Sequence, residues 1–561
     1  MTVLPFLAIT FGAAAASLLL RANARMAAAI GIAGLLAAAA AAARIRPEDT
    51  LAIGGSELAG SEYLRLFALI GSLVALALTV LGLASVSHRN APGVLLAGMG
   101  SAVLALALTD ARIGVLAATA GGLFGVLVTI ASPATPRSVV VASRELRALA
   151  VAGVLAILAT AWIGRPLGGL AVVPEVFGFA YLGFAAAVAI RFGAIPFHFW
   201  AARLADAAPE VTLPMLMAWG PAAFAIVALT WADQSVAPLL LPLTAERVAI
   251  VAVGAASAVL GIVAAAIQDD LEHVVGYTII ADAGIAILGL AALSPEAWSP
   301  AREWILVFVT VRSALAAWAV AMRGAFRTRR ISELGGWAVR APLLAVALVL
   351  VAAAAVGFPG LVAWEARASL VDLTIAGPIG IIVVVSSVAQ LAIYGRLLIV
   401  GLSKPSAAVV AGLSERPTWP DIVEGRHVVG LSRAERAFER GGHAIGGSLD
   451  VLWGIPAAIR ANRALLAGAI AVLVAALALS LSAGGFGIVE ASQAVPVPGG
   501  PGPAEGPGAP SSEPPGSSSP AESPGSVSAP ASAPPSSGSP VSGEPAPPSV
   551  GPSVQPSASA S

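Results

Sequence analysis

Ten ionisable side chains of this sequence stand inside or beside long apolar runs. They are Asp110, Arg112, Glu175, Arg191, His198, Asp282, Arg312, Glu365, Arg367 and Asp372. A charge surrounded by hydrocarbon is costly, so such residues usually pair with one another or with water, and they often line a path for ions or protons. We therefore treat these positions as candidates for proton transfer or ion binding.

The position of a charge within its run separates two interpretations. Asp110, Arg112 and Glu175 lie near the ends of runs, where their side chains could reach the membrane surface. Arg312 lies about ten residues inside its run. We expect it to pair with a carboxylate on a neighbouring helix, because an isolated cation at that depth is unfavourable.

A proton relay would have to use the carboxylates and the histidine of this set, with water between them. A carboxyl group can bind and release a proton when its surroundings shift its pKa, whereas arginine effectively keeps its proton. The relay candidates are Glu175, His198, Asp282, Glu365 and Asp372. Asp282 and Glu365 are preferred. His198 lies in a Pro-Phe-His-Phe-Trp turn, where a structural hydrogen-bonding role is equally open.

The composition indicates which elements hold these residues. Of the 561 residues, 58% are hydrophobic and 11% are charged, and the mean hydropathy is +0.89. Soluble domains carry about twice that charge. The net charge is zero and cysteine is absent, which leaves no electrostatic case for nucleic acid and excludes disulfides and thiolate-bound metal or iron–sulfur sites. The sequence predicts an all-α polytopic membrane protein.

About fourteen runs are long enough to cross a bilayer as helices, and too long and rich in alanine for barrel strands. They cover residues 2–20, 26–43, 63–86, 93–109, 112–131, 148–164, 172–191, 211–232, 247–267, 272–293, 303–322, 341–358, 374–402 and 464–486. The first run lacks a basic leader and a clear cleavage site, so we interpret it as a span and not as a removed signal.

Arginine follows the odd-numbered spans more often than the even-numbered ones. The positive-inside rule then places the odd connections in the cytoplasm and both termini outside. The connection after the ninth span, with Asp269, Asp270 and Glu272, does not fit this pattern.

Two spans carry residues that interrupt helices. Pro209, Pro214, Gly220 and Pro221 fall within one predicted span, and Gly-Phe-Pro-Gly at 357–360 interrupts another. Discontinuous helices in the two halves of a chain are common at the ion sites of transporters. The alternative is a simple proline kink for packing.

Four segments carry a family resemblance. They are Arg191-Phe-Gly-Ala-Ile-Pro-Phe-His-Phe-Trp200, Gln268 to Gly284, Ile331 to Pro342, and Gly357-Phe-Pro-Gly-Leu-Val-Ala-Trp-Glu-Ala-Arg367. In this order they resemble the motifs of the proton-translocating membrane subunits of complex I and Mrp-type antiporters, over residues 60–490. The pattern is most similar to subunit N of the NADH-quinone oxidoreductases.

The resemblance implies two inverted five-helix repeats, each with a broken helix. Together with the composition, which predicts a polar amphipathic connection and a disordered Pro/Ser-rich tail, it divides the chain into six parts. They are N-terminal helices (1–110), a first repeat (111–267, broken near 209–221), a second repeat (268–402, broken near 357–360), a cytoplasmic amphipathic connection (403–463), a last span (464–490) and the tail (491–561). It also implies that the chain has no redox cofactor, because quinone and NADH are handled by other subunits.

The sequence departs from the family at the residues that carry protons. The lysine positions of the family hold Arg191, Ala222, Glu272 and Arg367, and Asp282 stands in place of a histidine. The expected glutamate of the fifth helix would lie near 119–121, which reads Thr-Ala-Gly. Lys404 is the single lysine of the chain.

Three functions remain open at this stage. The first is a non-catalytic subunit that moves protons in the inner (plasma) membrane, within a complex I-like assembly of membrane subunits. The second is a structural subunit of the same fold that does not pump. The third is an Mrp-like cation/proton antiporter subunit.

Overall fold

The computed structural model describes residues 3–85, 90–131, 136–163, 174–204, 208, 210–237, 241–375, 377–414 and 463–493. Most of the predicted cytoplasmic connection (403–463) and nearly all of the predicted tail lie outside these residues.

Apolar helices account for almost all of the described chain. In order they are α1 Val3–Leu19, α2 Ala24–Ala42, α3 Glu62–Ser85, α4 Ala91–Ala107, α5 Ala111–Ala131, α6 Pro136–Ile163, α7 Pro174–Phe192, α8 Ala201–Leu204, α9 Gly220–Ser235, α10 Thr244–Ile267, α11 Leu271–Ala292, α12 Pro295–Phe326, α13 Trp337–Arg340, α14 Pro342–Val356, α15 Val362–Thr374, α16 Pro378–Leu402, α17 Ala407–Ser414, α18 Arg463–Ser482 and α19 Ile488–Gln493. Within these ranges, ten helical stretches are long and apolar enough to span a membrane, and four shorter apolar helices accompany them. The predicted fold class is confirmed.

Helices α11 and α12 form the centre of the bundle. Both are buried along almost their whole length, and α12 packs against α3, α11, α14, α15 and α18. The backbones of helices α10 and α11 are in close contact at Gly254 and Gly284. A side chain at Gly284 would collide with the Gly254 carbonyl, so glycine is needed there for this approach. Such small-residue contacts are typical of helix packing in membranes. They leave the opposite side of α11 facing α12.

The predicted break at 357–360 is confirmed. Helix α14 ends at Val356, and α15 begins at Val362. Gly357 has a φ of +59°, a conformation that side chains other than glycine rarely adopt. The turn leaves the terminal carbonyl groups of α14 without the helical partners that a continuous helix would supply.

The predicted break at 209–221 is wrong. One helical run extends from Glu210 to Ser235 and contains a π-helical segment at Met215–Trp219. The wider π turn gives the Gly220 N–H the Met215 carbonyl as acceptor, and it makes room for the Pro221 ring, which would crowd a regular α turn. In this half the chain leaves helical geometry earlier, between the end of α7 at Phe192 and the 3₁₀ turn Phe197–Phe199.

Several predicted boundaries also move. Helix α6 begins at Pro136. The sequence interpretation placed its start at 148, because the first half of the helix is polar enough to resemble a connection. The predicted span 374–402 is helix α16, preceded by α15. The last span ends at Ser482, and the short helix α19 occupies 488–493, where the sequence predicted the start of the tail.

The connection between α2 and α3 contains a β-hairpin that the sequence interpretation missed. Strands β1 Thr50–Ile53 and β2 Ser56–Ala59 pair antiparallel, with Thr50 opposite Ala59. The two-residue turn is Gly54–Gly55, both with positive φ. A Gly-Gly pair between short apolar stretches is a recognised hairpin signal.

Candidate functional site

Arg312 lies at the centre of a buried polar network. Its side chain on α12 is 0% exposed. The Nε donates to Asp282 Oδ2 on α11 over 2.6 Å, and the Nη2 lies 2.6 Å from the same oxygen. Burying two opposite charges is tolerated when their geometry is good and further hydrogen bonds complete the site. The carboxylate partner that Arg312 was expected to need is therefore Asp282.

Helix α16 completes this arrangement. Nη1 of Arg312 donates to the Tyr394 hydroxyl over 2.9 Å, and Nη2 donates to Gln390 Oε1 over 2.7 Å. The Gln390 amide in turn donates to Asp282 Oδ1 over 3.2 Å. Gln390 and Tyr394 are four residues apart, so they lie on the same face of α16. We call these four residues the Asp282 network.

Arg367 lies close to this network and is held in a different way. Its guanidinium lies 5.5 Å from the ring of Trp304 and 5.1 Å from the ring of Trp364. Its Nη2 donates to the Val356 carbonyl over 2.6 Å, one of the groups that the break after α14 releases. Within the described chain, Nε and Nη1 of Arg367 have no hydrogen-bond partner. Trp304 links the two groups, because its Nε1 donates to the Asp282 carbonyl over 3.0 Å.

Glu365 lies outside this arrangement. It occupies the first turn of α15 and is exposed, and its Oε1 accepts a hydrogen bond from the Gly360 N–H over 3.2 Å. Glu365 and Arg367 are two residues apart, so they point to different sides of the helix. Of the two preferred relay candidates, only Asp282 therefore belongs to the network, whose other members are Arg312, Gln390 and Tyr394.

Arg191 lies in the first half of the bundle. The side chain on α7 is buried, its Nη2 donates to the Ala118 carbonyl of α5 over 3.1 Å, and its guanidinium lies 5.9 Å from the Phe224 ring. A Cβ at Gly122 would collide with the guanidinium. The glycine on α5 therefore makes the room that the arginine occupies.

Glu145 is a buried acid that the sequence interpretation missed. It lies on α6, is 1% exposed, and lines the same cavity as Arg191. It was assigned to a connection because Arg144 and Arg147 flank it. The signal was available, however, because Glu145 occupies the stripe of α6 that faces the bundle. The buried members of that stripe are Ala142, Glu145, Leu149, Ala152, Ala156 and Ala159.

Four of the remaining candidates, whose side chains the structure describes, lie outside the two buried groups around Arg312 and Arg191. His198 stacks on Phe199 with 4.5 Å between the ring centroids. Asp110 lies beside Arg112 at the start of α5, with 3.6 Å between Oδ1 and Nε, and both side chains are exposed. Asp372 is exposed on α15. Glu175 belongs to α7, but its side chain is outside the described residues.

The acidic connection after the ninth span forms part of a second cluster of charges. Glu272 pairs with Arg323 over 3.0 Å and with Arg329 over 3.2 Å. Arg323 also pairs with Glu210, and Arg329 lies 2.8 Å from Asp270. We call these five residues the loop charge cluster. It joins the start of the helical run at Glu210 to the connections before α11 and after α12.

Asp270 caps the N-terminus of α11, and the charged side chains near it shift the pKa of its carboxyl group. Burial raises the pKa of its carboxyl group, but the nearby His273 and Arg329 side chains outweigh burial and hold the pKa below its usual range. Its Oδ1 accepts a hydrogen bond from the Glu272 N–H over 3.0 Å, the usual role of an N-cap aspartate.

We expect Asp270→Asn to keep this cap and lose the charge. A carboxyl whose pKa is lowered by folding stabilises the protein above its unfolded pKa of about 3.9, and this contribution disappears as the pH falls through the folded value. The variant should therefore unfold at a lower temperature than wild type near pH 7, with a difference that shrinks as the pH approaches 3. A difference that does not depend on pH would contradict this role. Thermal unfolding of both proteins across that pH range provides the measurement.

Comparison with known proteins was made on both sequence and structure. Residues 169–392 match the sequence family described as "NADH:quinone oxidoreductase/Mrp antiporter, TM". The predicted resemblance is confirmed. The matched residues include α7 to α15 and therefore the whole of the Asp282 network except its last residue, Tyr394. They begin after Glu145, and they cover less of the chain than the predicted 60–490.

Similar sequences are subunits of NADH-quinone oxidoreductases. Subunit N of Desulfovibrio desulfuricans is 29% identical over 216 residues, which are 36% of this chain and 42% of that protein. Subunit N of Halorhodospira halophila is 28% identical over 254 residues, 43% of this chain and 50% of that protein. The chain thus matches half or less of the length of these relatives.

Similar structures cover far more of the chain. A chain of the Mrp complex from a Dietzia species superimposes with a TM-score of 0.61 and 19% identity, covering 88% of this chain and 96% of that one. A chain of respiratory complex I from Thermus thermophilus gives a TM-score of 0.58 and 19% identity, covering 86% and 100%. The described helices therefore have the fold of an antiporter-like membrane subunit, and the chain is a multi-pass membrane protein.

Proposed function

We propose that this chain is a membrane subunit that moves protons across the bilayer within a complex I-like assembly. The observation that carries the proposal is the Asp282 network, a buried acid–arginine pair beside a broken helix. Intramembrane ionisable groups are kept at such cost chiefly where ions or protons pass. The similarity to subunit N of NADH-quinone oxidoreductases supports the choice of assembly.

Asp282 is the group of this network that can change its protonation state. Arginine keeps its proton, so Arg312 and Arg367 act as fixed positive charges. A proton that reaches Asp282 would weaken its bond to Arg312 and leave the guanidinium to Gln390 and Tyr394. Release of the proton would restore the pair. The chain itself is proposed to bind neither quinone nor NADH, which other subunits would handle.

One observation favours a second candidate, the structural subunit that does not pump. Each of the three nitrogen atoms of the Arg312 side chain already has a partner in the network, so the same contacts could serve only to hold α11, α12 and α16 together. The two candidates differ in what loss of the chain does to proton transport.

The test compares the assembly that carries this chain with one from a deletion strain. Both are reconstituted in vesicles, and protons moved per quinone reduced are measured. We call the difference the chain-dependent transport. A lower proton yield without the chain, at an unchanged rate of quinone reduction, is the expected result. Equal proton yields from the two assemblies would favour the structural candidate.

We also propose that the odd-numbered connections face the cytoplasm. The acidic connection after the ninth span, which did not fit the arginine pattern, pairs in the loop charge cluster with Arg323 in the last turn of α12 and with Arg329 in the connection that follows. The backbones of the two connections also bond, with the Ile331 N–H donating to the Asp269 carbonyl over 2.7 Å. Both connections therefore lie on the same side, and their combined charge fits the positive-inside rule.

Single cysteines test this orientation, because the chain has none of its own. Ala52, on the hairpin after the second span, and Lys404, after α16, are both exposed. We expect a membrane-impermeant maleimide added to intact cells to label Ala52→Cys and not Lys404→Cys, and to label both after permeabilisation. The reverse pattern would invert the proposed orientation.

A further inference from the structure

The first half of the bundle contains a buried glutamate and a buried arginine, Glu145 and Arg191, which line one cavity but form no direct ion pair with each other. The cavity has a volume of about 30 Å³ and is lined by residues of α4, α5, α6, α7 and the helical run that contains α9. Glu145 enters it from α6 and Arg191 from α7. Among the described residues that line it, these two are the ionisable ones. We call it the Glu145 cavity.

Both side chains have hydrogen-bonding capacity that the described protein groups leave unused. Oε2 of Glu145 and Nε of Arg191 are buried and have no partner among the described residues. An unsatisfied polar group in the interior is unfavourable, and more so when it is charged. One of these atoms accepts hydrogen bonds and the other donates them. Their position around one cavity indicates that a polar molecule there supplies the missing hydrogen bonds.

Water fits this space. A buried water needs about 10–15 Å³ and two to four polar partners, so a cavity of about 30 Å³ accommodates about two water molecules. The carboxyl of Glu145, the guanidinium of Arg191 and the Ser101 side chain offer such partners. Ser101 lines the cavity from α4, and its hydroxyl donates to the Ala97 carbonyl over 2.8 Å, so its oxygen can still accept.

The surrounding groups hold the Arg191 guanidinium in place and leave the Glu145 carboxyl group free to exchange a proton. Arg191 is held by the Ala118 carbonyl, by the Phe224 ring and by the space that Gly122 leaves. Among the described residues, no comparable contact holds the Oε2 atom of Glu145. A carboxyl that meets a fixed cation only through water can take a proton from that water and return it, without breaking a direct ion pair.

We propose that Glu145 is a proton-exchanging site, bridged to Arg191 by water in the Glu145 cavity. Glu145 lies outside the residues that match the sequence family, whereas Arg191 lies within them, and the site places the acid of this half on α6. Its use in transport rests on the proposed function. The proton binds one oxygen of the Glu145 carboxylate, coming from an adjacent water, and leaves by the same route, so no other reactant is needed.

Infrared spectroscopy tests the site without reference to transport. The pH-difference spectrum of the intact assembly is recorded in H₂O and D₂O, and the carbonyl band of a protonated carboxylic acid is identified by its isotope shift. We expect Glu145→Gln to remove one such band. Glu296→Gln, which changes an exposed glutamate at the start of α12, serves as the matched control and should retain the band that Glu145→Gln removes. An unchanged spectrum in Glu145→Gln overturns the proposal.

A second variant tests the same site in case Glu145→Gln does not fold. Gly122→Ala keeps Glu145 but places a methyl group against the Arg191 guanidinium. We expect it to retain the band and to shift the pH at which the band titrates, because the neighbouring cation moves. A band that titrates as in wild type would overturn the link to Arg191.

Proton transport then separates the two proposals. If the chain-dependent transport is real and Glu145→Gln lowers it about tenfold, both stand. If Asp282→Asn lowers it and Glu145→Gln does not, the proposed function survives and the transport role of the Glu145 site fails. If there is no chain-dependent transport, the proposed function fails, and the infrared band alone decides whether Glu145 exchanges a proton.

Discussion

Asp282→Asn is expected to remove at least about nine-tenths of the chain-dependent proton transport, because a positioned acid–base group typically accelerates proton transfer by two to four orders of magnitude. Asparagine preserves the size of the side chain and its capacity to accept from Arg312, but it cannot bind or release a proton at this position. The rate of quinone reduction and the amount of assembled complex should change far less than the proton yield.

Glu365→Gln is the matched control for this variant. The sequence interpretation preferred Glu365, with Asp282, as a proton carrier, whereas the structure places it on the exposed side of α15. We expect its proton yield to be that of wild type. Equal losses in the two variants, or normal transport in Asp282→Asn, would exclude the Asp282 network as the path. The measurement is proton uptake by vesicles per quinone reduced.

Arg312→Met is expected to destabilise the chain by about 3–5 kcal/mol, since removing one partner of a buried ion pair leaves the other charge uncompensated. Asp282 would then lie among apolar side chains with only the Gln390 amide as a side-chain donor. Denaturant unfolding of the full chain in detergent gives the free energy. Arg340→Met, which changes an exposed arginine of α13, should stay within about 0.5 kcal/mol of wild type.

The double variant Asp282→Asn with Arg312→Met shows whether the effect belongs to the pair. Removing both charges should restore part of the lost stability, with a coupling energy of about 0.5–3 kcal/mol in a double-mutant cycle. Strictly additive losses would mean that Arg312 stabilises the bundle through its packing and its bonds to α16, and not through Asp282.

The helical architecture could be predicted from the sequence, because the bilayer restricts the segments that can cross it. Spans must be apolar over about twenty residues, and the short sequence Gly-Phe-Pro-Gly at 357–360 is incompatible with a continuous helix. The prolines near 214 gave a wrong prediction, since a π turn accommodates them without a break. Sequence composition does not distinguish these two outcomes.

The candidate site was predicted only in part. The depth of Arg312 required a carboxylate partner, but the residues from α16 could not be found, because Gln390 and Tyr394 lie far from Asp282 along the chain. Glu145 was missed because the charges beside it made its helix resemble a connection. Helical spacing could have identified both Glu145 as buried and Glu365 as outward-facing, had it been applied to single charged residues and not only to apolar runs.

The π segment at Met215–Trp219 has a consequence for the rotational phase of the helix that contains it. A π turn accommodates one residue more than an α turn, which corresponds to about 100° of rotation. That offset sets the direction of the side chains from the end of the segment onward, beginning with Trp219, whose Nε1 donates to the Ser313 hydroxyl on α12 over 2.9 Å. Deleting a single residue here would let the turn relax to regular winding, and the downstream half would then present a different set of side chains to the centre of the bundle.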